Sequence, residues 1–168
     1  QSVMQMVVMP VQGITQGVQP IMSYNFGARN YARVRQTFRL LLRTTLAVTV
    51  TAFLVVTLFP RPLALIFNDD RELVELVGRV MPIFFGGIWA FGAQMACQAA
   101  FMAMGQAKTS LFLALLRKVI LLVPLAIVLP LVTRNVMGIY VAEPVADVLA
   151  SATTLTLFLR KRKTLLPE

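Results

Sequence analysis

Two acidic residues lie four positions apart near the carboxyl end of the chain, in a stretch that carries few other charges. Glu143 and Asp147 share one face of a helix predicted at about 136–159. Ser151 and Thr154 continue that face. Ionising two neighbouring carboxyl groups in an apolar environment costs free energy, because the charges repel each other and lack water. One of the two is therefore expected to take up a proton. The pair is therefore a candidate site for binding and releasing a cation.

A static role is the alternative for these two acids. Both can be bonded to Arg117 or to backbone groups, and Pro144 leaves a backbone carbonyl free to accept from a carboxylic acid. The spacing of the acids is compatible with either role.

Five polar side chains form a second pattern near the amino end. They are spaced 7, 4, 3 and 4 residues apart, which keeps them within a sector of about 60° on a helix. Lipid offers no hydrogen-bond partners to these side chains, so the stripe predicts the polar wall of a cavity. Hydrogen bonds between helices, worth about 0.6 kcal/mol each, are the alternative. The stripe consists of Gln5, Gln12, Gln16, Gln19 and Ser23.

A third pattern places aromatic rings and amides on one arc of about 100°, between residues 84 and 101. Such a surface suits flat organic cations or amphiphiles, although an aromatic stripe at helical spacing more often reflects helix packing. From the second and third patterns, the candidate cavity residues are Gln12, Gln16, Gln19, Phe91, Gln94 and Gln98.

The composition predicts an all-α integral membrane protein that positions these residues on helices. Of the 168 residues, 58% are hydrophobic and 14% charged, whereas a soluble domain has about 45–50% and about 25%. The mean hydropathy is +0.76. A membrane helix needs about 20 mostly apolar residues. We expect one membrane domain over residues 1–168, with five transmembrane helices at about 2–26, 34–59, 77–104, 109–132 and 136–159.

Enzymatic, metal and cofactor chemistry has no support in the sequence. Histidine is absent, and the single cysteine, Cys97, can form neither an internal disulfide nor a Cys-x-x-Cys motif. We therefore predict no enzyme, no catalytic residue, no metal site and no cofactor. The net charge of +9 comes from basic clusters between apolar runs. That distribution favours contacts with the lipid bilayer over binding of nucleic acid.

The Lys and Arg residues predict the orientation in the membrane. Twelve lie in the first and third connections, the adjoining helix starts and the carboxyl tail, and four lie on the other side with most of the acids. Arg117 and Lys118 are counted among the twelve. The excess marks the cytoplasmic side, so the carboxyl tail of this multi-pass protein is expected in the cytoplasm. Residues 60–75 are expected to form an external loop running into an amphipathic helix, capped by Asn68 or Asp69.

Several segments are similar to one family of transporters. Residues 16–28 (QGVQPIMSYNFGA), followed by 33–35 (RVR), resemble the second helix of the carboxyl-terminal lobe of MATE multidrug and toxin extrusion transporters. Residues 98–107 (QAAFMAMGQA) resemble the end of the fourth helix of that lobe. Residues 115–124 (LLRKVILLVP) and 138–147 (GIYVAEPVAD) resemble its fifth and last helices.

The resemblance implies helices 8 to 12 of a twelve-helix antiporter of the cytoplasmic (inner) membrane. Such a protein exports cationic or amphiphilic drugs in exchange for protons or sodium, and its two lobes rock about a central cavity. The amino-terminal lobe and the first helix of this lobe are then expected to be missing partners. No acid lies in the apolar span of helix 77–104, so Glu143 and Asp147 are the local candidates for ion coupling.

Two other functions remain open on the sequence. A flippase for lipid-linked oligosaccharides, from the same superfamily, is expected to line its cavity with several arginines, and we expect none at mid-depth here. The second is an inert or structural truncated membrane fragment. The presence or absence of further apolar helices encoded upstream distinguishes a transporter from such a fragment.

Overall fold

The chain folds into a bundle of helices. The computed structural model describes residues 2–67, 71–133 and 137–166, and all regular structure in these ranges is helical. The α-helices are α1 (Ser2–Gly27), α2 (Tyr31–Leu58), α3 (Pro60–Phe67), α4 (Arg71–Phe84), α5 (Ile88–Ala103), α6 (Ala107–Leu115), α7 (Val123–Thr133) and α8 (Met137–Leu165). A 3-10 turn, Phe85–Gly87, joins α4 to α5, and a π-helical segment, Leu116–Leu122, joins α6 to α7.

Four helical runs in the described ranges are long and apolar enough to cross a membrane, judged by length and composition. They are Tyr31–Leu58, Val74–Ala103, Ala107–Thr133 and Tyr140–Lys161. The expected count of five apolar spans is therefore corrected to four. Helix α1 is long enough, with 26 residues, but its glutamines lower its hydropathy. The all-α membrane class is confirmed.

The segment between the spans Tyr31–Leu58 and Val74–Ala103 differs from the expected loop. Residues Pro60–Phe67 form the short helix α3, and α4 begins at Arg71. A proline fits the first position of a helix, because a backbone N–H at that position would have no acceptor within the helix. The expected caps Asn68 and Asp69 lie outside the described residues.

Helix α5 occupies the centre of the bundle and packs against α1, α2 and α8. Small side chains allow these close approaches. A Cβ on Gly92 would lie 2.8 Å from the Thr45 carbonyl oxygen on α2, so glycine is needed there. One apolar core joins the helices near Phe101 and Phe158, whose rings meet edge to face at 5.5 Å.

The opposite faces of several helices expose large apolar side chains. Leu131 and Val132 of α7 are 72% and 73% exposed, which in water would be an unfavourable patch. A surface of this kind suits contact with lipid.

A π-helical segment interrupts the third apolar span between α6 and α7. Pro124 lies just after it, and a proline ring clashes with the carbonyl four residues earlier, which disfavours regular α-helix. Such segments are frequent at functional sites. This one contains Arg117.

Candidate functional site

A polar groove of about 440 Å³ lies between α1 and α5. Four of the six predicted cavity residues line it: Gln12, Gln16, Gln19 and Gln98. The α-helical period explains this, since residues 12, 16 and 19 of one helix face the same neighbour. The remaining lining residues are Thr15, Met95, Ala99 and Met102.

Sequence reasoning missed the threonine and the two methionines of this groove. Thr15 donates to the carbonyl of Gln12 at 2.9 Å and is buried. Met95 and Met102 stand three residues before and four residues after Gln98, a spacing that places them on the same helical face. Helical periodicity around Gln98 was therefore a usable signal. Amides and thioethers together give the groove a polar but uncharged wall.

The other two predicted cavity residues, Phe91 and Gln94, do not line the groove. Phe91 is buried in a second apolar cluster with Phe85 and Ile88. Gln94 is 2% exposed, and its Oε1 atom has no hydrogen-bond partner among the described residues. Their position within the same arc did not bring them to the same surface, because α5 is enclosed by different helices on different sides.

The two predicted acids meet an arginine in the interior of the bundle. The Nε atom of Arg117 donates to Oδ1 of Asp147 at 2.5 Å, and its Nη2 atom donates to Oε1 of Glu143 at 3.3 Å. The guanidinium carbon also lies 4.6 Å from the centroid of the Phe91 ring, a cation–π distance. The three charged groups form one cluster, which we call the charge cluster.

The position of Arg117 corrects two expectations. The charge count predicts a cytoplasmic position for Arg117, but the residue is only 9% exposed and lies ten residues from the start of α6, about 15 Å along a helix. An arginine is thus present inside the bundle, bonded to both acids as in their static alternative, whereas none was expected at mid-depth. The usable signal was an arginine within a predicted apolar span, which by itself marks a functional candidate.

Close packing holds α8 against the turn before α5, beside the charge cluster. A Cβ on Gly87 would lie 2.7 Å from the Cα atom of Pro144 and 2.9 Å from the Cβ atom of Asp147. One turn further along α8, the hydroxyl of Ser151 donates to the carbonyl of Ala90 at 2.8 Å. Ser151 and Thr154 are both buried, so the face that carries the acids points into the bundle.

Comparison with known proteins identifies the family. The family model described as MatE matches residues 1–128. The chain belongs to the MATE family. A curated relative, the FAD transporter of Shewanella oneidensis, is 27% identical over 142 residues, which is 83% of this chain and 30% of that protein.

Two solved structures are similar to nearly the whole of the chain. The MATE multidrug transporter DinF-BH, solved in complex with rhodamine 6G, is 34% identical with a TM-score of 0.90, and the match covers 100% of this chain and 37% of that one. An outward-facing MATE family multidrug resistance transporter of the MOP superfamily shares the fold, with a TM-score of 0.89 at 14% identity, over 97% of this chain and 37% of that one. The chain thus spans about a third of the length of these relatives, as a partial lobe does.

Proposed function

We propose that this chain forms part of one lobe of an efflux antiporter in the cytoplasmic (inner) membrane. The complete transporter, which includes the second lobe, exports amphiphilic or cationic organic compounds in exchange for protons or sodium. Its carboxyl tail lies in the cytoplasm. Membership of the MATE family is the observation that carries this proposal.

The groove between α1 and α5 supplies one wall of the substrate path. Its amides offer both donors and acceptors, and its methionines adapt to ligands of different shape. A groove with no charged side chain in its wall accepts an organic cation through its apolar body, without a strong electrostatic preference.

The charge cluster supplies the ion-coupling group of the same transporter. Glu143 and Asp147 are the acids that the cluster contains, and buried ionisable groups of this kind mark ion pathways in membrane proteins. The cluster and the groove both adjoin α5, through Phe91 and Gln98 respectively. A shift of α5 would therefore link occupancy of the two sites.

A flavin nucleotide is the second candidate substrate, because the Shewanella relative is an FAD transporter. An anionic dinucleotide would have to find its cationic partner elsewhere in the transporter, since the groove wall described above is uncharged.

The test is retention of rhodamine 6G, the compound held by DinF-BH, in cells that lack their own efflux pumps. Cells expressing the full-length transporter that contains this chain should retain less of the dye than cells with an empty vector. Cells expressing the Gln16→Leu/Gln98→Leu variant should retain more dye than cells expressing the unmodified protein, because two amides of the groove are lost. Gln36→Leu, an exposed glutamine of α2 outside the groove, is the matched control. Equal retention with and without the transporter, or selective export of FAD instead, would contradict the proposal for organic cations.

A further inference from the structure

The charge cluster contains one cation and two anions. Arg117 is always charged, because a guanidinium does not lose its proton in proteins. One ionised carboxylate balances it, and a second leaves the cluster with an excess negative charge. In an apolar bundle an excess charge is costly, whereas a paired one is tolerated. One of the two acids is therefore the partner of Arg117, and the other needs a further cation.

The geometry distinguishes the two acids. Asp147 accepts from Nε at 2.5 Å and its side chain is 3% exposed, whereas Glu143 accepts from Nη2 at 3.3 Å and is 15% exposed. Short charge-assisted hydrogen bonds are the strong ones. The backbone of α8 is also fixed at Asp147, because α8 packs directly against Gly87. Asp147 is thus the fixed partner of Arg117.

Glu143 has the features of an exchangeable group. It lies one helical turn nearer than Asp147 to the end of the span at Tyr140, about 6 Å along the helix. Its hydrogen bond to Arg117 is long, at 3.3 Å. Glu143 can therefore leave Arg117 for another cation while Arg117 stays bonded to Asp147.

No other described acid lies beside the charge cluster. Lys118, the neighbour of Arg117, is exposed and acts on Asp147 only through a weaker electrostatic attraction than that of Arg117. Residues 80–107, which include α5 and the turn before it, carry no charged side chain. On α4, Glu75 and Arg79 pair with each other at the surface, where their side chains are 60% and 74% exposed. Among the charged groups of the elements described, Glu143 is therefore bonded to Arg117 and lies beside Asp147, and Lys118 is the remaining charge that acts on this cluster.

We propose that Arg117 and Asp147 form a permanent ion pair, and that Glu143 is the acid that takes up and releases the coupling cation. This inference rests on the proposed antiport function. Arg117 is a positioning residue: it neutralises Asp147 and holds Glu143 in place. When Glu143 binds a proton or a sodium ion the cluster becomes neutral, and when it releases the cation the cluster carries one negative charge.

The test compares gradient-driven transport, passive exchange and thermal stability for variants of the full-length transporter in proteoliposomes. Rhodamine 6G is the transported probe. Glu143→Gln should keep the melting temperature and passive dye exchange but lose accumulation against a gradient. Glu143→Asp should restore accumulation with a shifted half-saturating concentration of the coupling cation. A merely structural role of Glu143 would not produce that shift.

Asp147→Asn should instead lower the melting temperature by at least about 5 °C, because it removes the negative charge that Arg117 meets at 2.5 Å and leaves only the longer ion pair with Glu143. The double variant Arg117→Gln/Asp147→Asn should recover most of that loss and still accumulate the dye, at a reduced rate. Normal accumulation by Glu143→Gln would overturn the inference. So would loss of accumulation by Asp147→Asn at an unchanged melting temperature, which would assign the coupling role to Asp147. If the unmodified transporter moves no rhodamine 6G under any gradient, the proposed function fails, while the stability of the double variant still decides whether Arg117 and Asp147 are paired.

Discussion

Substitution of Gly87 by alanine tests how α8 is held beside the charge cluster. The added Cβ would lie 2.7 Å from the Cα atom of Pro144, 2.8 Å from the carbonyl oxygen of Pro144 and 2.9 Å from the Cβ atom of Asp147. Two of these three are backbone atoms, which cannot rotate away. Ordinary contact begins at 3.4 Å, so α8 must withdraw by about 0.7 Å at Pro144.

Two consequences of this withdrawal can be measured. Overpacking of this kind costs about 1–3 kcal/mol, which should lower the melting temperature of the transporter by more than about 2 °C. The displacement also lengthens the 2.5 Å bond between Arg117 and Asp147, because Arg117 reaches Asp147 from a different helix. We expect the full-length Gly87→Ala transporter to unfold earlier in detergent and to accumulate less rhodamine 6G against an ion gradient.

The neighbouring glycine provides a matched control. A Cβ on Gly86 would meet only the Cβ atom of Pro144, at 3.7 Å, which is ordinary contact. Gly86→Ala should therefore melt within about 2 °C of the unmodified protein and transport normally. Equal melting temperatures and equal transport for Gly87→Ala and the unmodified protein would refute the close packing of α8 on this turn.

Two further predictions concern topology and packing. In a Cys97→Ala background, cysteines at Ala32 and Glu75, both exposed, should react with an impermeant thiol reagent from opposite sides of the membrane. Labelling of both in intact cells would overturn the cytoplasmic assignment of the first connection. Ser151→Ala should lower stability by about 0.5–1.5 kcal/mol, because it removes the bond to the carbonyl of Ala90. Ala152→Ser, on the exposed side of α8, is its control, and an equal effect of both in thermal unfolding would contradict the buried bond.

Features that depend on local periodicity could be predicted from the sequence. The α-helical repeat of Gln12, Gln16 and Gln19 determines that these side chains share a face, and they line one groove with Gln98. The apolar runs likewise indicated where long helices occur, since helix length and composition are local properties.

Features that depend on which helices are neighbours could not be predicted. The sequence indicated Arg117 as one alternative partner of the acids, but its predicted cytoplasmic side followed from a charge count that ignores packing. The π-helical segment changes the register of the helix at that residue, and no simple repeat reports such a change. The need for glycine at position 87 arises from a contact with residues 144 and 147, some sixty positions later in the chain.

The most direct test of cation-coupled efflux is the movement of rhodamine 6G in proteoliposomes that contain the purified full-length transporter. A pH gradient or a sodium gradient is imposed separately, and the internal dye concentration is followed over time. We expect the dye to accumulate above its external concentration with one of these gradients and to leave again when the gradient is dissipated. The Glu143→Gln variant should show no such accumulation. Dye that only equilibrates across the membrane, at the same rate with and without either gradient, would contradict cation-coupled efflux.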